Sequence, residues 1–352
     1  MACCWPAPWL APHGPKGTPG LRHIAARSGV EYGLAVQAAS LRDQPGYAAA
    51  TAREARLLVP EGEGKWYDLR PTEAEFDFSG LDAILEFAAR HGQAVRGHTL
   101  VWDAAMRDWT LAALTEGPAR ARPLLEAHLD GVLGHFAGRI GDWDVANEAI
   151  ANPWDSTALL KDTPWLRALG PDHLDLAFRL ARVRDPALRL TYNDYGCEHG
   201  TPHDNEKRRR VLTLLRGFRD RGVPIDALGL QGHLHRDAAM DPTALATFIR
   251  EVRALGLEVL ITELDVIEPP APSDPADRDA RAAGIVHRFV STALEAGVRQ
   301  VLAWGVADPY SWANELPRVD GLPSRPLPLG AGFAPKPMWY ALARAFEGRP
   351  WP

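Results

Sequence analysis

The chain reads as a (β/α)8 TIM barrel, a single α/β domain in which eight strands alternate with helices. Three observations predict this. Short apolar, β-type runs alternate with helix-spaced segments along one uninterrupted chain of 352 residues, a length such a barrel can occupy as one unit. Several of the runs are continuously apolar, as expected of parallel strands covered on both faces. Polar and aromatic residues gather just after the runs, where a barrel carries its active site. The competing layout, an open doubly wound sheet, is weakened because no Gly-rich phosphate loop follows the first strand.

Taken in order, the strand candidates are residues 30–36, 56–59, 94–100, 142–146, 189–192, 227–230, 258–262 and 300–303. Helical spacing runs through 81–90, 123–136, 172–184, 205–221, 242–255 and 278–295. In the first of these, Leu81, Ile84, Leu85 and Ala88 share one face. Gly92, Gly222, Gly256 and Gly297 each follow a helix, where a left-handed cap suits glycine. The proline-rich stretches 268–275 and 317–328 read as long loops after the seventh and eighth strands. Residues 1–20, rich in Pro, Gly and Trp, read as a flexible N-terminal tail or the remnant of an export signal. They lack the basic start and apolar stretch of a proper signal peptide. Residues 21–352 form the barrel domain.

An apolar fraction of 46% is ample for a large core. The formal charge of -6 is mild, and the basic run Lys207-Arg208-Arg209-Arg210 is balanced by acids elsewhere. That run reads as a solvated helix face, so no nucleic-acid partner is expected. No apolar run approaches the roughly 20 residues needed to cross a bilayer, and no membrane partner is expected. Three cysteines, two of them adjacent, do not make a disulfide framework. Twelve tryptophans fit a site that stacks on sugar rings, although tryptophan also fills cores.

The chemistry centres on Trp143-Asp144-Val145-Ala146-Asn147-Glu148-Ala149 and Val259-Leu260-Ile261-Thr262-Glu263-Leu264-Asp265-Val266. Each is a strand-like run ending in a glutamate. Two carboxyls delivered from two strand ends are the minimal equipment for cleaving a glycosidic bond: one protonates the leaving oxygen, and the other attacks or activates water. Either glutamate alone would read as a surface carboxylate. Asp265 stands where it can hold a charged network around an ionised Glu263, and Asn147 where it can donate to a sugar hydroxyl.

Other strand ends carry matching motifs. Gly97-His98-Thr99-Leu100-Val101-Trp102 closes the third, Tyr192-Asn193-Asp194-Tyr195 the fifth and Gln231-Gly232-His233 the sixth. Trp304 follows the eighth, with Trp312 eight residues later. With these motifs in this order, from Tyr32-Gly33 to Pro335-Lys336-Pro337-Met338-Trp339-Tyr340, the chain resembles glycoside hydrolase family 10, the endo-β-1,4-xylanase family. The resemblance implies a retaining mechanism without cofactor or metal, on a polysaccharide or oligosaccharide substrate, with Glu148 as acid/base and Glu263 as nucleophile. It places His98, Trp102, Asn147, Gln231, His233, Trp304 and Trp312 around the sugar at and beside the cleavage point. It also has His233 and Asp265 orient Glu263, and puts Lys65 and Glu61 on the glycone side. A monomer is expected. A secreted or periplasmic location follows from the substrate class, with a cytoplasmic one left open.

The chain departs from the family pattern at Glu61-Gly62-Glu63-Gly64-Lys65-Trp66, where Gly62 replaces an asparagine. It departs again at Asp103-Ala104-Ala105, which replaces His-Ser-Gln. These losses predict a remodelled glycone-side subsite. Alternatives are a retaining glycosidase for another β-linked glycan or short oligosaccharides, and a catalytically silent carbohydrate-binding barrel. His233-Leu234-His235 lacks a third ligand for a metal, and Cys197 lacks a base partner.

Overall fold

The computed structural model describes residues 19–269, 274–316 and 320–352. Most of the expected tail, and parts of the stretches 268–275 and 317–328, lie outside the described residues. Among the described residues nine strands form: β1 Glu31–Val36, β2 Leu57–Pro60, β3 Ala94–Val95, β4 Asp142–Asn147, β5 Arg189–Asp194, β6 Ala227–Leu230, β7 His233–His235, β8 Glu258–Ile267 and β9 Gln300–Ala303. All named pairings are parallel, in the order β3-β2-β1-β9-β8-β6-β5-β4, with β7 beside the end of β8. The two edges meet through bridges Gly97↔Trp143 and Val101↔Ala146. Eight strands thus close into a (β/α)8 barrel, with the helices between them outside.

The helices begin where chain chemistry predicts. Thr163-Pro164, Thr201-Pro202, Asp241-Pro242 and Asp274-Pro275 each put a capping oxygen before a proline at the first helical position. The capping side chains accept from Leu166, Asp204, Ala244 and Ala276 backbone N–H groups. Among the described residues, no helix is long and apolar enough to cross a membrane.

Three expectations need correction. The third strand, expected over 94–100, is a ladder strand only over Ala94–Val95; beyond it single bridges carry the pairing. There the backbone presses against the Trp143 ring, and a Cβ on Gly97 would lie 2.0 Å from it. The seventh barrel strand, β8, extends to Ile267 because β7 gives its far end a partner, so Glu263 lies within the strand rather than at its end. The basic run 207–210 is not a solvated face, since Lys207, Arg208 and Arg210 are buried. Lys207 Nζ pairs with Asp194 at 2.9 Å, Arg208 Nε donates to Cys197 O at 2.8 Å, and Arg210 Nη1 donates to Ala151 O at 3.0 Å. Helix Pro202–Asp220 lays this face over loops whose carbonyls need donors.

Alternation along β4 puts Asp142 and Asp144 on one face. Both meet Arg96, whose side chain is 1% exposed: Nε donates to Asp142 Oδ2 at 2.9 Å, and the two terminal nitrogens donate to Asp144. Asp144 also accepts from His98 Nδ1 at 2.9 Å, which links the buried charge network to the mouth of the barrel. Removing the cation leaves the fully buried Asp144 with His98 alone beside it, while Asp142 keeps its pairing with Arg189. Arg96→Met is therefore expected to destabilise the fold by about 3–5 kcal/mol, read from the urea midpoint at unchanged slope. A loss below ~1 kcal/mol would contradict this role.

Candidate active site

A cleft of about 700 Å³ opens at the C-terminal ends of the strands. Glu148 stands one residue beyond β4. Its backbone adopts φ 56°, a left-handed conformation uncommon for a residue with a Cβ, and its N–H donates to Asn193 O at 2.9 Å. Its two carboxyl oxygens face neutral donors: Trp102 Nε1 at 3.0 Å from Oε2 and Gln231 Nε2 at 2.8 Å from Oε1. Burial raises the Glu148 pKa above the ordinary carboxylate value. The negative field of Glu263 adds to the rise, and the hydrogen bonds from Gln231 and Trp102 partly offset it.

Glu263 is surrounded differently. The pairing of β8 with β9 shifts register between Ile261 and Leu264, so Glu263 occupies an irregular stretch of strand. Asn193 Nδ2 donates to Oε1 at 2.6 Å, and His233 Nε2 lies 3.2 Å from Oε2. The β7–β8 register sets His233 opposite Asp265. Asp265 Oδ1 takes the other ring nitrogen, Nδ1, at 2.7 Å, while its Oδ2 accepts from Trp312 Nε1 at 2.7 Å. Burial opposes charge on the imidazole, yet Asp265 and Glu263 together raise its pKa well above the ordinary value and so favour the charged ring. Burial also pushes Glu263 up, but the hydrogen bond from His233 and the fields of His98 and His233 outweigh it and leave the carboxyl below its usual range. Two buried glutamates are thus driven in opposite directions, one toward the acid and one toward the carboxylate.

If Glu263 acts as the ionised nucleophile that the resemblance implies, the sign of one effect is fixed. His233→Ala removes the group that lowers its pKa, so the acid limb of kcat/KM moves to higher pH, and kcat falls about 10²-fold through lost orientation. A pH–rate profile with an unmoved acid limb would contradict this.

All twelve site residues expected from sequence come together. Eleven border the cleft, and Asp265 lies fully buried behind His233. Asn147 Oδ1 accepts from Asn193 Nδ2 at 2.9 Å, which leaves the Asn147 amide N–H groups for a ligand. Trp102 and Gln231, expected around the sugar, also hold Glu148 directly. His98 packs edge-on to Trp304 with ring centroids 5.2 Å apart. Lys65 Nζ lies 5.0 Å from the Trp102 ring and 6.0 Å from that of Trp304. Glu61 accepts from Gln37 Nε2 at 2.9 Å; burial pushes its pKa to about 7, against the lowering effects of that bond and of Lys65.

Two participants were not assigned from sequence. Asn193 bridges Asn147 and Glu263, and Thr262 Oγ1 donates to Asn193 Oδ1 at 2.6 Å, fixing which end of the amide faces the nucleophile. The motif at the end of β5 was the available signal, but its pattern did not say which polar side chain turns inward.

The sequence profile of Glycosyl hydrolase family 10 matches residues 20–345. The chain belongs to this family. It is 31% identical over 326 residues to "Endo-1,4-beta-xylanase 1" of Humicola insolens, spanning 92% of this chain and 73% of that protein. It is 33% identical over 302 residues to "Beta-1,4-xylanase" of Dictyoglomus thermophilum, spanning 82% and 81%. The crystal structure of xylanase 10B from Thermotoga petrophila RKU-1 in complex with xylobiose superposes with a TM-score of 0.85 at 28% identity, covering 95% of this chain and 99% of that one.

In this family 10 hydrolase the departures from the family pattern have specific surroundings. A Cβ on Gly62 would have only Asp68 Oδ2 within 4 Å, at 3.2 Å. Asp103 pairs with Lys161 Nζ at 2.9 Å, and Ala105 O accepts from Tyr67 N at 2.9 Å. None of the three positions borders the cleft. Glu198, His199 and Asp204 lie within 4.8 Å of one another in the cleft wall. They are engaged with protein: Glu198 accepts from the Cys197 and Gly232 N–H groups, Asp204 from His199 N–H, and His199 Nε2 from His235 N–H. The cluster ties together the loops after β5 and β6.

Proposed function

We propose that this chain is a retaining endo-β-1,4-xylanase that cleaves β-1,4-xylosidic bonds in xylan or xylo-oligosaccharides by double displacement. The observation that carries the chemistry is the opposite polarisation of Glu148 and Glu263 in one cleft. The substrate reading is supported by family membership and by the activity named for the relatives above.

Glu263 Oε attacks the anomeric carbon while Glu148 gives its proton to the departing glycosidic oxygen. The C–O bond to the leaving sugar breaks as the bond to Glu263 forms. The esterified Glu263 no longer carries the charge that raised the Glu148 pKa, so Glu148 now holds as a carboxylate. It accepts a proton from water as the water oxygen attacks the anomeric carbon and Glu263 departs ionised. His233, held by Asp265, stabilises that departing carboxylate, and Asn193 orients its other oxygen. Asn147 has N–H groups free to hold a hydroxyl beside the reacting carbon.

The test is the release of reducing ends from linear β-1,4-xylan, with NMR of the first-formed sugar. Initial appearance of the β-anomer supports the assignment. Initial appearance of the α-anomer removes Glu263 as nucleophile. Activity confined to another β-linked glycan would keep the mechanism and replace the substrate. The remodelled glycone side rests on the departures from the family pattern at Gly62, Asp103 and Ala105, none of which places a side chain in the cleft, and chain-length preference in the same assay tests it.

A further inference from the structure

Trp154 is the one tryptophan among the described residues with a large exposed surface, 54% of its full value, and it borders the same cleft as Glu148 and Glu263. Exposing that much indole to water is unfavourable unless a partner covers it. Its ring contact is with His203, at 5.5 Å and nearly perpendicular (86°). It sits six residues beyond the acid/base, on the loop that follows β4. Trp304 follows β9, opposite β4 in the barrel, and Glu61 and Lys65 follow β2, two strands from β4 on the side of β3.

The loop is built to hold a fixed shape. Ile150 and Leu160 bridge its two arms, and Arg210 Nη1 donates to Ala151 O and Ala158 O at 3.0 and 3.1 Å. Lys207 Nζ donates to Ile150 O at 2.9 Å, and Asn152 Nδ2 donates to the Tyr195 hydroxyl at 2.9 Å. Two buried cations of helix Pro202–Asp220 thus clamp the segment that carries Trp154, which prepays the ordering that a flexible contact would lose on binding.

The geometry points to Trp154 as an aglycone-side platform on which a sugar ring of the leaving portion of the chain stacks, so that this residue sets where along an oligosaccharide the bond is cut. This rests on the xylanase reading above and adds to it a specificity-determining residue. The occupant follows from continuity with the catalytic cleft: a chain whose glycone part lies toward Lys65 and whose leaving oxygen faces Glu148 runs on toward the β4 loop. An apolar plane suits the carbon-bound faces of a pyranose, and His203 backs the indole.

The experiment compares the parent enzyme with Trp154→Ala and Trp154→Phe on xylohexaose and on 4-nitrophenyl β-xylobioside, with the cut bond located by labelling the reducing end. Trp154→Ala is expected to lower the ratio of kcat/KM on the hexaose to that on the aryl glycoside about tenfold, mainly through KM. It should also shift cleavage toward the reducing end, and Trp154→Phe should restore most of both effects. An unchanged ratio and cleavage position in a parent that cuts xylohexaose would overturn the platform and leave the xylanase reading intact. Equal losses on both substrates would also overturn it. A parent inactive on every xylo-oligosaccharide would overturn the xylanase reading, and the platform for xylosyl residues with it.

Discussion

Glu263→Ala is expected to lower kcat on xylo-oligosaccharides by about 10⁴-fold or more, because the side chains that touch Glu263 cannot take its place as nucleophile. Asn193 is an amide, and His233 is tied through its other ring nitrogen to Asp265. The truncation leaves a space on the nucleophile's face of the sugar while Glu148 stays in place. Added azide should enter that space and attack an activated aryl xylobioside directly, releasing the α-glycosyl azide, the inverted product. Measuring kcat with and without azide and assigning the product anomer by NMR checks this. A β-azide, or substantial activity without azide, would show that another residue does the attacking.

The Glu148→Ala substitution separates the two steps. On xylo-oligosaccharides, whose leaving oxygen needs a proton, activity should fall about 10⁴-fold or more. A dinitrophenyl xylobioside has a leaving group that departs without help, so its first step should survive while the second stalls for want of a base. The expected signature is a burst of one dinitrophenolate per enzyme followed by slow turnover. Azide should then restore turnover and yield the β-glycosyl azide. The pH profile supplies an independent check: the alkaline limb of kcat/KM in the parent reports loss of the Glu148 proton, whose pKa burial and Glu263 raise. That limb should disappear in the variant. A uniform loss on both substrates, without a burst, would contradict the assignment.

The two glutamates proposed as catalytic were legible because each belongs to a run whose local pattern places it near a strand's C-terminal end. The helices were legible for the same reason, and their true starts came from Thr-Pro and Asp-Pro pairs that act within one turn. The errors arose where a partner is distant in sequence. The extension of β8 depends on β7, about thirty positions earlier, and beyond β3 the backbone at Gly97 lies against the ring of Trp143. Basic side chains at 207, 208 and 210 were read as solvated because their partners, Asp194 and the carbonyls of Ile150, Ala151 and Cys197, are not on their helix.

By itself the sequence determined a barrel of alternating strands and helices, the pair Glu148 and Glu263, and the circle of polar and aromatic residues around them. Periodicity and turn chemistry are local, and the order of motifs along the chain maps directly onto the order of strands. Only the tertiary structure decided what pushes Glu148 toward the acid and Glu263 toward the anion, the roles that the family resemblance already implied. That difference depends on donors reached across the barrel: Gln231 on Glu148 from 83 residues away, Asn193 and His233 on Glu263 from 70 and 30. A carboxyl's proton affinity is set by what surrounds it in space, and neighbours along the chain supply little of that surrounding.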